Sequence, residues 1–215
     1  MKCYRCNTWP CTCKDGQTII HGDCREVLPR LGTFDLLLTD PPYGIGEANG
    51  KNKSRGYLAQ PRDYGTKSWD DEIQQEPIDL AVGMAKWACV FGGNYYRVTP
   101  SPCWLVWDKE NGDTDFADCE LAWTNFKQAA RLKRHQWNGM LRKNREERYH
   151  PTQKPLDVVR WAMGFVDADT VLDPFLGSGT TLRACKDLGR RGTGIEIEEK
   201  YCEIAANRLR QEVLF

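Results

Sequence analysis

The sequence predicts an α/β fold in which helices cover both faces of a doubly wound, mostly parallel β-sheet. Short hydrophobic runs alternate with longer amphipathic stretches along most of the chain, which is the pattern of alternating strands and helices. The run at residues 34–39 is continuous rather than alternating, as expected of a strand buried on both faces of a parallel sheet. A length of 215 residues is enough for one domain with a substantial hydrophobic core.

The predicted elements follow one another along the chain. Hydrophobic runs predict strands at 18–21, 34–39, 104–107, 170–173 and 192–197. Amphipathic stretches predict helices at 24–31, 77–90, 155–166 and about 179–188, and a last helix that carries Tyr201, Ile204, Ala205 and Leu209 on one face. Residues 44–72 have no period and many Gly, Lys and Arg residues, which predicts a long loop.

Overall charge does not indicate a partner, because 30 basic and 30 acidic side chains cancel. No apolar run approaches the roughly 20 residues that a membrane-spanning helix needs. The start of the chain, "MKCYRCNTWPCTCKDG", lacks the apolar stretch of a signal peptide. We therefore expect a soluble protein of the cytoplasm with no membrane partner.

The ten cysteines fall into two groups. Six are scattered through apolar or helical surroundings and are predicted to be reduced core thiols: Cys24, Cys89, Cys103, Cys119, Cys185 and Cys202. The other four, Cys3, Cys6, Cys11 and Cys13, occupy the first 13 residues. Their close spacing predicts a small knuckle, residues 1–16, in which four thiolates bind one structural Zn²⁺. The alternative is a frayed cysteine-rich tail.

The stretch "FDLLLTDPPYG", residues 34–44, ends a predicted strand in an unusual way. Asp40 follows the strand directly, and Pro41, Pro42 and Tyr43 follow Asp40. Proline fixes its own φ angle, lacks an N–H group and disfavours helical geometry in the residue before it, so the turn is stiff. Taken alone, the stretch is also compatible with an ordinary turn at the end of a strand.

A second stretch, "VLDPFLGSGTT" at 171–181, has a strand that ends in Asp173 and a glycine turn that leads into a helix. Gly177 and Gly179 allow close approach of the backbone to a ligand, and the helix N-terminus offers free N–H groups. The stretch lacks the Gly-Lys-Ser/Thr ending of a triphosphate-binding loop. Glu196 ends the next strand, where an acid can bind ribose hydroxyls. Together these residues indicate a nucleoside-type cofactor.

A third stretch, "HPTQKP" at 150–155, precedes a predicted helix and on its own indicates only a helix entry. With "DPPY" and "DPFLGSGTT", in this order, it resembles the S-adenosylmethionine-dependent DNA amino-methyltransferases of the β arrangement. The segments "CWLVWDK", "ELAWTN" and "QWNGM" also look like parts of bacterial and phage members. The resemblance covers about residues 18–212 and implies a Rossmann-like methyltransferase domain at 17–215 with circularly permuted motifs.

The family implies roles for residues that match its motifs. Asp173 and the turn after it would surround S-adenosylmethionine through Pro174, Phe175, Gly177, Ser178 and Gly179. Glu196 would hold the ribose of the cofactor, and Asp23, next to Cys24, would contact its adenine ring. Thr152, Gln153 and Lys154 would line the methionine end.

The family also gives "DPPY" a chemical role. An exocyclic amino group is a poor nucleophile, because its lone pair is delocalised into the ring. Acceptors on its N–H bonds favour a pyramidal nitrogen whose lone pair can attack a methyl group. Asp40 and the carbonyl of Pro41 would be those acceptors, Pro42 would stiffen the turn, and Tyr43 would stack on a flipped-out base. Such stacking contributes on the order of 1–3 kcal/mol, which offsets part of the cost of flipping.

Basic residues predict where double-stranded DNA would bind. Between Lys127 and Arg148 there are eight Lys or Arg residues and two Glu residues, and the family places target recognition in this region. We predict DNA contacts from Arg131, Lys133, Arg134, Trp137, Arg142 and Lys143. The loop from Lys51 to Lys67 is also basic. The alternative for either segment is a solvated charged surface.

The resulting prediction is transfer of a methyl group from S-adenosylmethionine to the N6 amino group of a flipped-out adenine. Asp40 resembles the adenine-modifying members, whereas N4-cytosine members more often carry serine at this position. Methylation of N4 of cytosine, of RNA or of a protein amide remains an alternative, as does a zinc-knuckle DNA-binding module with a degenerate methyltransferase half. The sequence does not decide between a monomer and a homodimer, or between a bacterial and a phage origin. It also does not decide whether the protein has a restriction enzyme as a partner.

Overall fold

The computed structural model describes residues 1–44, 73–112, 117–137, 149 and 153–211. These residues form one mixed sheet of eight strands in the order β1-β8-β7-β2-β3-β5-β4-β6. The strands are β1 (Gln17–His21), β2 (Phe34–Thr39), β3 (Ala85–Phe91), β4 (Trp104–Asp108), β5 (Cys119–Thr124), β6 (Arg131–Arg134), β7 (Thr170–Asp173) and β8 (Arg191–Glu196).

The first five strands in this order are all parallel to their neighbours. Strand β5 is antiparallel to both β3 and β4, and β6 is parallel to β4. This arrangement confirms the predicted α/β fold with a mostly parallel sheet.

Helices cover both faces of the sheet, as a doubly wound fold requires. They are α1 (Cys24–Val27), α2 (Gln75–Gly83), α3 (Leu156–Met163), α4 (Thr180–Asp187) and α5 (Glu199–Arg210). In β2, Leu36 and Leu38 pack into the core that contains α3 and α4, whereas Leu37 packs into the core that contains α1 and α2. Successive side chains of a strand point to opposite faces, so the continuous hydrophobic run of β2 serves two cores. Among the described helices, none is long and apolar enough to span a membrane.

Two sequence-based predictions about this core were wrong. The predicted helix at 77–90 ends at Gly83, and its second half is strand β3. The aromatic and β-branched residues of "AKWACVF" pack well in a central strand, which outweighs their helical spacing. Cys119 was predicted to be a core thiol, but it is exposed at the start of β5. The other five scattered cysteines are buried free thiols.

Candidate active site

The two main sequence motifs meet at the carboxyl ends of neighbouring parallel strands. Strands β2 and β7 pair in a register that sets Leu37 beside Leu172, so Asp40 and Asp173 follow at the same edge of the sheet. The hydroxyl of Thr39 donates to Oδ1 of Asp173 over 2.8 Å, which connects the end of β2 directly to the end of β7. Ligands of open α/β sheets bind at this edge.

A cavity of about 280 Å³ opens at this edge. Fourteen of the residues predicted for catalysis or cofactor binding line it: Asp23, Cys24, Asp40, Pro41, Pro42, Tyr43, Gln153, Lys154, Asp173, Pro174, Phe175, Gly177, Ser178 and Glu196. Thr152 lies outside the described residues. The sheet therefore gathers segments from five separate parts of the chain around one space.

The turn after β7 is fixed by two carboxylates. Oδ1 of Asp173 accepts the backbone N–H of Phe175 over 3.0 Å. Oε2 of Glu196 accepts the N–H of Gly177 over 2.7 Å, and its Oε1 accepts the N–H of Glu198 over 2.8 Å. Gly177 has a φ angle of 53°, in the left-handed region that favours glycine. The turn is thus shaped before any ligand binds.

Burial strongly affects both of these acids. Desolvation raises the pKa of Asp173 to about 6, against the opposing hydrogen bonds from Thr181 and Thr39. Desolvation also raises the pKa of Glu196, and the backbone N–H groups of Glu198 and Gly177 oppose this shift. A ligand with a positive charge or with hydroxyl donors would favour the ionised form of both acids.

Gly179 was predicted to contact the cofactor, but it does not line the cavity. Its φ angle is 84°, and a Cβ atom added there would lie 2.6 Å from Cβ of Ala205 in α5. Gly179 therefore permits the close packing of the turn against α5, which is a structural role. Arg208, also on α5, is buried and donates to the carbonyl of Ser178 over 2.8 Å and to its hydroxyl over 3.1 Å.

Two other predicted cofactor residues are held by neighbouring polar groups. Oε1 of Gln153 accepts the hydroxyl of Ser178 over 3.1 Å and the N–H of Tyr149 over 2.9 Å. Asp23 caps the N-terminus of α1 and pairs with Arg25, whose hydrogen bonds lower the pKa of the Asp23 carboxyl. Both residues line the cavity, so these contacts fix parts of its wall.

Asp40 carries donors on both carboxylate oxygens. The hydroxyl of Tyr43 donates to Oδ1 over 2.6 Å, and the ammonium group of Lys154 donates to Oδ2 over 2.6 Å. Lys154 also lies 3.1 Å from the Tyr43 hydroxyl. The acid of "DPPY" and the lysine of "HPTQKP" are therefore in direct contact, although 114 positions separate them.

The ion pair continues beyond Asp40 to residues that the sequence motifs did not indicate. Nζ of Lys154 lies 3.0 Å from Oε2 of Glu120, and Oε1 of Glu120 lies 2.5 Å from Nζ of Lys109. Lys154 is only 7% exposed, so its positive charge is shared between two carboxylates inside the protein. Two ammonium groups and two carboxylates make the chain Asp40–Lys154–Glu120–Lys109 neutral in total.

The pKa values of Asp40, Glu120 and Lys154 follow from their burial and their ion pairs. Desolvation raises the pKa of Asp40 despite the opposing charge of Lys154, and the charge of Glu120 raises it further. Desolvation would also raise the pKa of Glu120, but the charges of Lys154 and Lys109 lower it below its usual range. For Lys154, the two carboxylates outweigh desolvation and raise the pKa, so its ammonium group stays charged.

Aromatic rings surround the "DPPY" turn. The rings of Tyr43 and Tyr95 stack with centroids 4.9 Å apart and an angle of 17° between planes. Tyr43 also lies over Gly92, where a Cβ atom would be 2.1 Å from the tyrosine ring. The hydroxyl of Tyr96 donates to the carbonyl of Pro42. Gly92 therefore leaves room for Tyr43, and Tyr95, which is 42% exposed, extends the aromatic surface.

The residues of this site that sequence reasoning missed include Glu120, Lys109, Tyr95 and Arg208. Glu120 begins "ELAWTN", and the short apolar run that follows it is a signal of strand β5. Arg208 resembles an ordinary charged residue in the last turn of an amphipathic helix. Only the packing of α5 on the turn after β7 reveals its role.

The predicted DNA-contacting residues are distributed unevenly. Arg131, Lys133 and Arg134 lie on β6, an edge strand, and Arg134 forms a 3.3 Å ion pair with Asp108. Trp137 is 8% exposed and belongs to the main core, so the prediction that it contacts DNA was wrong. Burial of this large aromatic ring in the core is more favourable in free energy than its exposure to solvent. Arg142 and Lys143 lie outside the described residues, as does most of the loop predicted at 44–72.

The four N-terminal cysteines do not line this cavity, and they precede β1 in the chain. The Sγ atoms of Cys3, Cys6, Cys11 and Cys13 all lie within 4.8 Å of one another. The structure thus brings together all four residues that the sequence predicted as metal ligands.

Comparison with known proteins identifies the family. The sequence profile of a DNA methylase family, N6_N4_Mtase, matches residues 98–207, which include "HPTQKP" and "DPFLGSGTT". The type II methyltransferase M2.LlaDCHI of Lactococcus lactis subsp. cremoris is 42% identical over an alignment of 248 positions, which covers 91% of this chain and 90% of the relative. The chain belongs to the N6/N4 DNA methylase family. The type II methyltransferase M.HinfI of Haemophilus influenzae is 27% identical over 90% of this chain and 68% of its own length.

Solved structures support the same fold for this DNA methylase. A complex of M1.HpyAVI with SAM superposes with a TM-score of 0.60 and 23% identity over 91% of this chain and the whole of that chain. The cytosine-N4-specific PvuII DNA methyltransferase superposes with a TM-score of 0.56 and 13% identity over 93% of this chain and 88% of that chain. At these identities the likeness concerns the fold.

Proposed function

We propose that this DNA methylase transfers a methyl group from S-adenosylmethionine to the N6 amino group of an adenine flipped out of double-stranded DNA. The main support for this proposal is that Asp40 lines the same cavity as Asp173 and Gly177 of the turn after β7 and Glu196 of β8. One wall of the cavity offers acceptors for a nucleoside-type cofactor, and the other offers a carboxylate for an amino group.

The cofactor wall fits S-adenosylmethionine by its chemistry. Each oxygen of the Glu196 carboxylate accepts one backbone N–H, which leaves further acceptor capacity for ribose hydroxyls. Asp23 would accept from the adenine amino group, and Gln153 would line the methionine end. The bound cofactor supplies an electrophilic methyl group on a positively charged sulfur. The buried carboxylates of Asp173 and Glu196 give this wall a negative character that suits this charge.

Asp40 would act as the acceptor for the target amino group. We expect the base to displace Tyr43 or Lys154 from the carboxylate, because both donors belong to side chains that can turn away. Tyr43 would then present its ring to the base, and its stacking on Tyr95 supports a role in binding a planar partner. Lys154 would keep Glu120 as its counterion during this exchange.

The chemical step follows from this arrangement. The lone pair of the pyramidal nitrogen forms the new N–C bond while the S–C bond breaks, and the electron pair of that bond stays on sulfur. The methylated nitrogen then carries one proton too many, and Asp40 accepts it. Burial, which raises the pKa of the Asp40 carboxyl, favours this proton transfer.

Adenine is proposed as the target because Asp40 matches the adenine-modifying members at the first position of "DPPY". The fold alone is compatible with cytosine, since PvuII DNA methyltransferase shares it and is specific for cytosine N4. Expression in a bacterial host without its own DNA methylation, followed by mass spectrometry of the nucleosides, decides the base. We expect N6-methyladenine. N4-methylcytosine alone would overturn the choice of base, and unmodified DNA with methylated RNA or protein would overturn the choice of substrate.

DNA would bind along the edge that β6 forms. The exposed side chains of Arg131 and Arg134, together with Lys133, form a basic strip on this edge, and the predicted contacts Arg142 and Lys143 follow them in the chain. Since phosphate contacts carry most of the non-specific affinity, this strip would hold DNA near the cavity without specifying a sequence. We propose that the enzyme works on DNA in the cytoplasm of a bacterial cell.

A further inference from the structure

The N-terminal segment, residues 1–16, brings four thiols together without a disulfide. Cys3, Cys6, Cys11 and Cys13 are all free, and their sulfur atoms lie within 4.8 Å of one another. This segment precedes the part of the chain that the DNA methylase profile matches. The methyltransferase reaction gives these cysteines no role.

The distances favour a metal over disulfides. Four sulfurs at about 2.3 Å from a tetrahedral Zn²⁺ lie about 3.8 Å from one another. The sulfurs of Cys6 and Cys11 are 3.7 Å apart. A disulfide needs an S–S separation of about 2.05 Å, much shorter than this.

The backbone of the segment is arranged around the sulfurs. The N–H of Thr12 points to Sγ of Cys6 over 3.5 Å, and the N–H of Cys13 points to Sγ of Cys11 over 3.4 Å. Such N–H groups stabilise thiolates and are typical surroundings of thiolate ligands. Asn7, with a φ angle of 60°, turns the chain between the first two cysteines and the last two.

The segment has no hydrophobic core that could hold this arrangement. Among residues 1–16 only Cys3 is buried, and Trp9 is 45% exposed. A segment this small does not offset its conformational entropy by burying one thiol and packing Tyr4 partly against the core beside α5, so it needs a cross-link. A bound metal supplies that cross-link.

The segment covers the free edge of β1. The N–H of Tyr4 donates to the carbonyl of Ile19 over 2.7 Å, and Arg5 donates to the carbonyl of Gln17 over 3.1 Å while it pairs with Asp15. Since β1 is the outermost strand of the sheet, these bonds satisfy carbonyls that would otherwise face solvent. Strand β1 leads directly into Gly22 and Asp23 at the cavity.

We propose that Cys3, Cys6, Cys11 and Cys13 bind one structural Zn²⁺ as thiolates, and that this metal fixes residues 1–16 against the edge of β1. Each ligand loses its proton when the metal binds. The metal lies outside the cavity, so its role is to stabilise the strand that carries one cavity wall. It takes no part in methyl transfer.

Metal content of the full chain, purified without added zinc, tests the proposal. We expect about one equivalent of zinc in the wild type and loss of that zinc in Cys6→Ser/Cys11→Ser. The matched control is Cys119→Ser, which removes an exposed thiol outside the cluster and should keep the metal. A wild type without zinc, or a double variant that retains it, would overturn the proposal.

Cobalt substitution keeps the test valid if the double variant does not fold. Wild-type protein reconstituted with Co²⁺ should show the absorption bands of a tetrahedral tetrathiolate site. Mass measurement without reductant should show all cysteines reduced in the zinc form. An octahedral cobalt spectrum, or disulfides among the four cysteines in protein that still melts like the wild type, would contradict the proposal.

The predicted effect on the rest of the protein distinguishes this proposal from the proposed function. Removal of the metal should lower the melting temperature, because β1 loses the segment that covers its edge. Methyl transfer should decrease but persist in folded protein. If zinc is bound and no methylation of any substrate occurs, the metal site stands while the proposed function fails.

Discussion

The two walls of the cavity differ in how their acids are held. On the wall proposed for the cofactor, Asp173 and Glu196 accept mainly backbone N–H groups and hydroxyls, and these partners need not move when a ligand arrives. On the wall proposed for the target base, Asp40 accepts hydrogen bonds from the side chains of Tyr43 and Lys154. The first wall is held mainly by backbone groups, whereas the second is held by side chains that can turn away when an amino group arrives.

This difference indicates why a second acid lies behind Asp40. A buried lysine that loses its only counterion becomes an unpaired charge, which costs several kcal/mol. Glu120 remains beside Lys154 when Asp40 turns to the base, and Lys109 remains beside Glu120. The ion-pair chain therefore makes the exchange at Asp40 less costly.

Substitution of Asp40 should have the largest effect of the variants considered. Asp40→Ala removes the acceptor of the target amino group, so we expect methyl transfer to decrease by roughly 10²–10⁴-fold. Cofactor affinity should change little, because the backbone-held wall is intact. Single-turnover kinetics measure methyl transfer, and calorimetry measures the affinity for S-adenosylmethionine. Similar losses of both in Asp40→Ala would contradict separate roles for the two walls.

A smaller effect is expected at the cofactor wall. Glu196→Gln replaces an acceptor by a donor at one of the two backbone N–H groups, and it also weakens charge-assisted bonds to the ribose. A loss of about 1.5–3 kcal/mol corresponds to roughly ten- to hundredfold weaker binding of S-adenosylmethionine. Calorimetry should show this for Glu196→Gln and not for the exposed neighbour Glu199→Gln. Equal affinities would exclude Glu196 from cofactor binding.

The smallest effect should come from the edge strand. Arg131→Ala/Lys133→Ala should weaken DNA binding modestly and reduce the salt dependence by about 0.9 in log–log slope for each phosphate that the variant no longer neutralises. The double variant Arg30→Ala/Lys200→Ala, on other surfaces, is the control. Unchanged affinity and slope in the first variant would move the DNA-binding surface away from β6.

The sequence predicted best those features of the two walls that depend on residues close together in the chain. Strands β2 and β7 have the predicted bounds, and the Asp173 turn lies where its glycines indicated, because these features depend on residues close in the chain. The continuous apolar character of β2 predicted burial on both faces, and the structure shows it packed between two cores. Local signals therefore located the strands and the turn after β7 well.

Features that depend on distant parts of the chain were not predictable in this way. The pair of Lys154 with Glu120 requires β5 to lie antiparallel between β3 and β4, and β3 and β5 were both missed as strands. Trp137 lies in a basic segment but is buried, because its ring fits the core beside α3. Charge and motif patterns do not report such long-range packing.

The partner exchange at Asp40 is tested most directly by the pH dependence of single-turnover methylation in Glu120→Gln. The charge of Glu120 raises the pKa of Asp40, and Asp40 must be ionised to accept the amino group. Without that charge the pKa decreases, so the loss of activity on acidification should begin at lower pH than in the wild type. The maximal rate should also decrease, because Lys154 then has Asp40 as its remaining carboxylate partner in this chain. Exposed Glu110→Gln should match the wild type. Superimposable profiles for Glu120→Gln and the wild type would contradict the account.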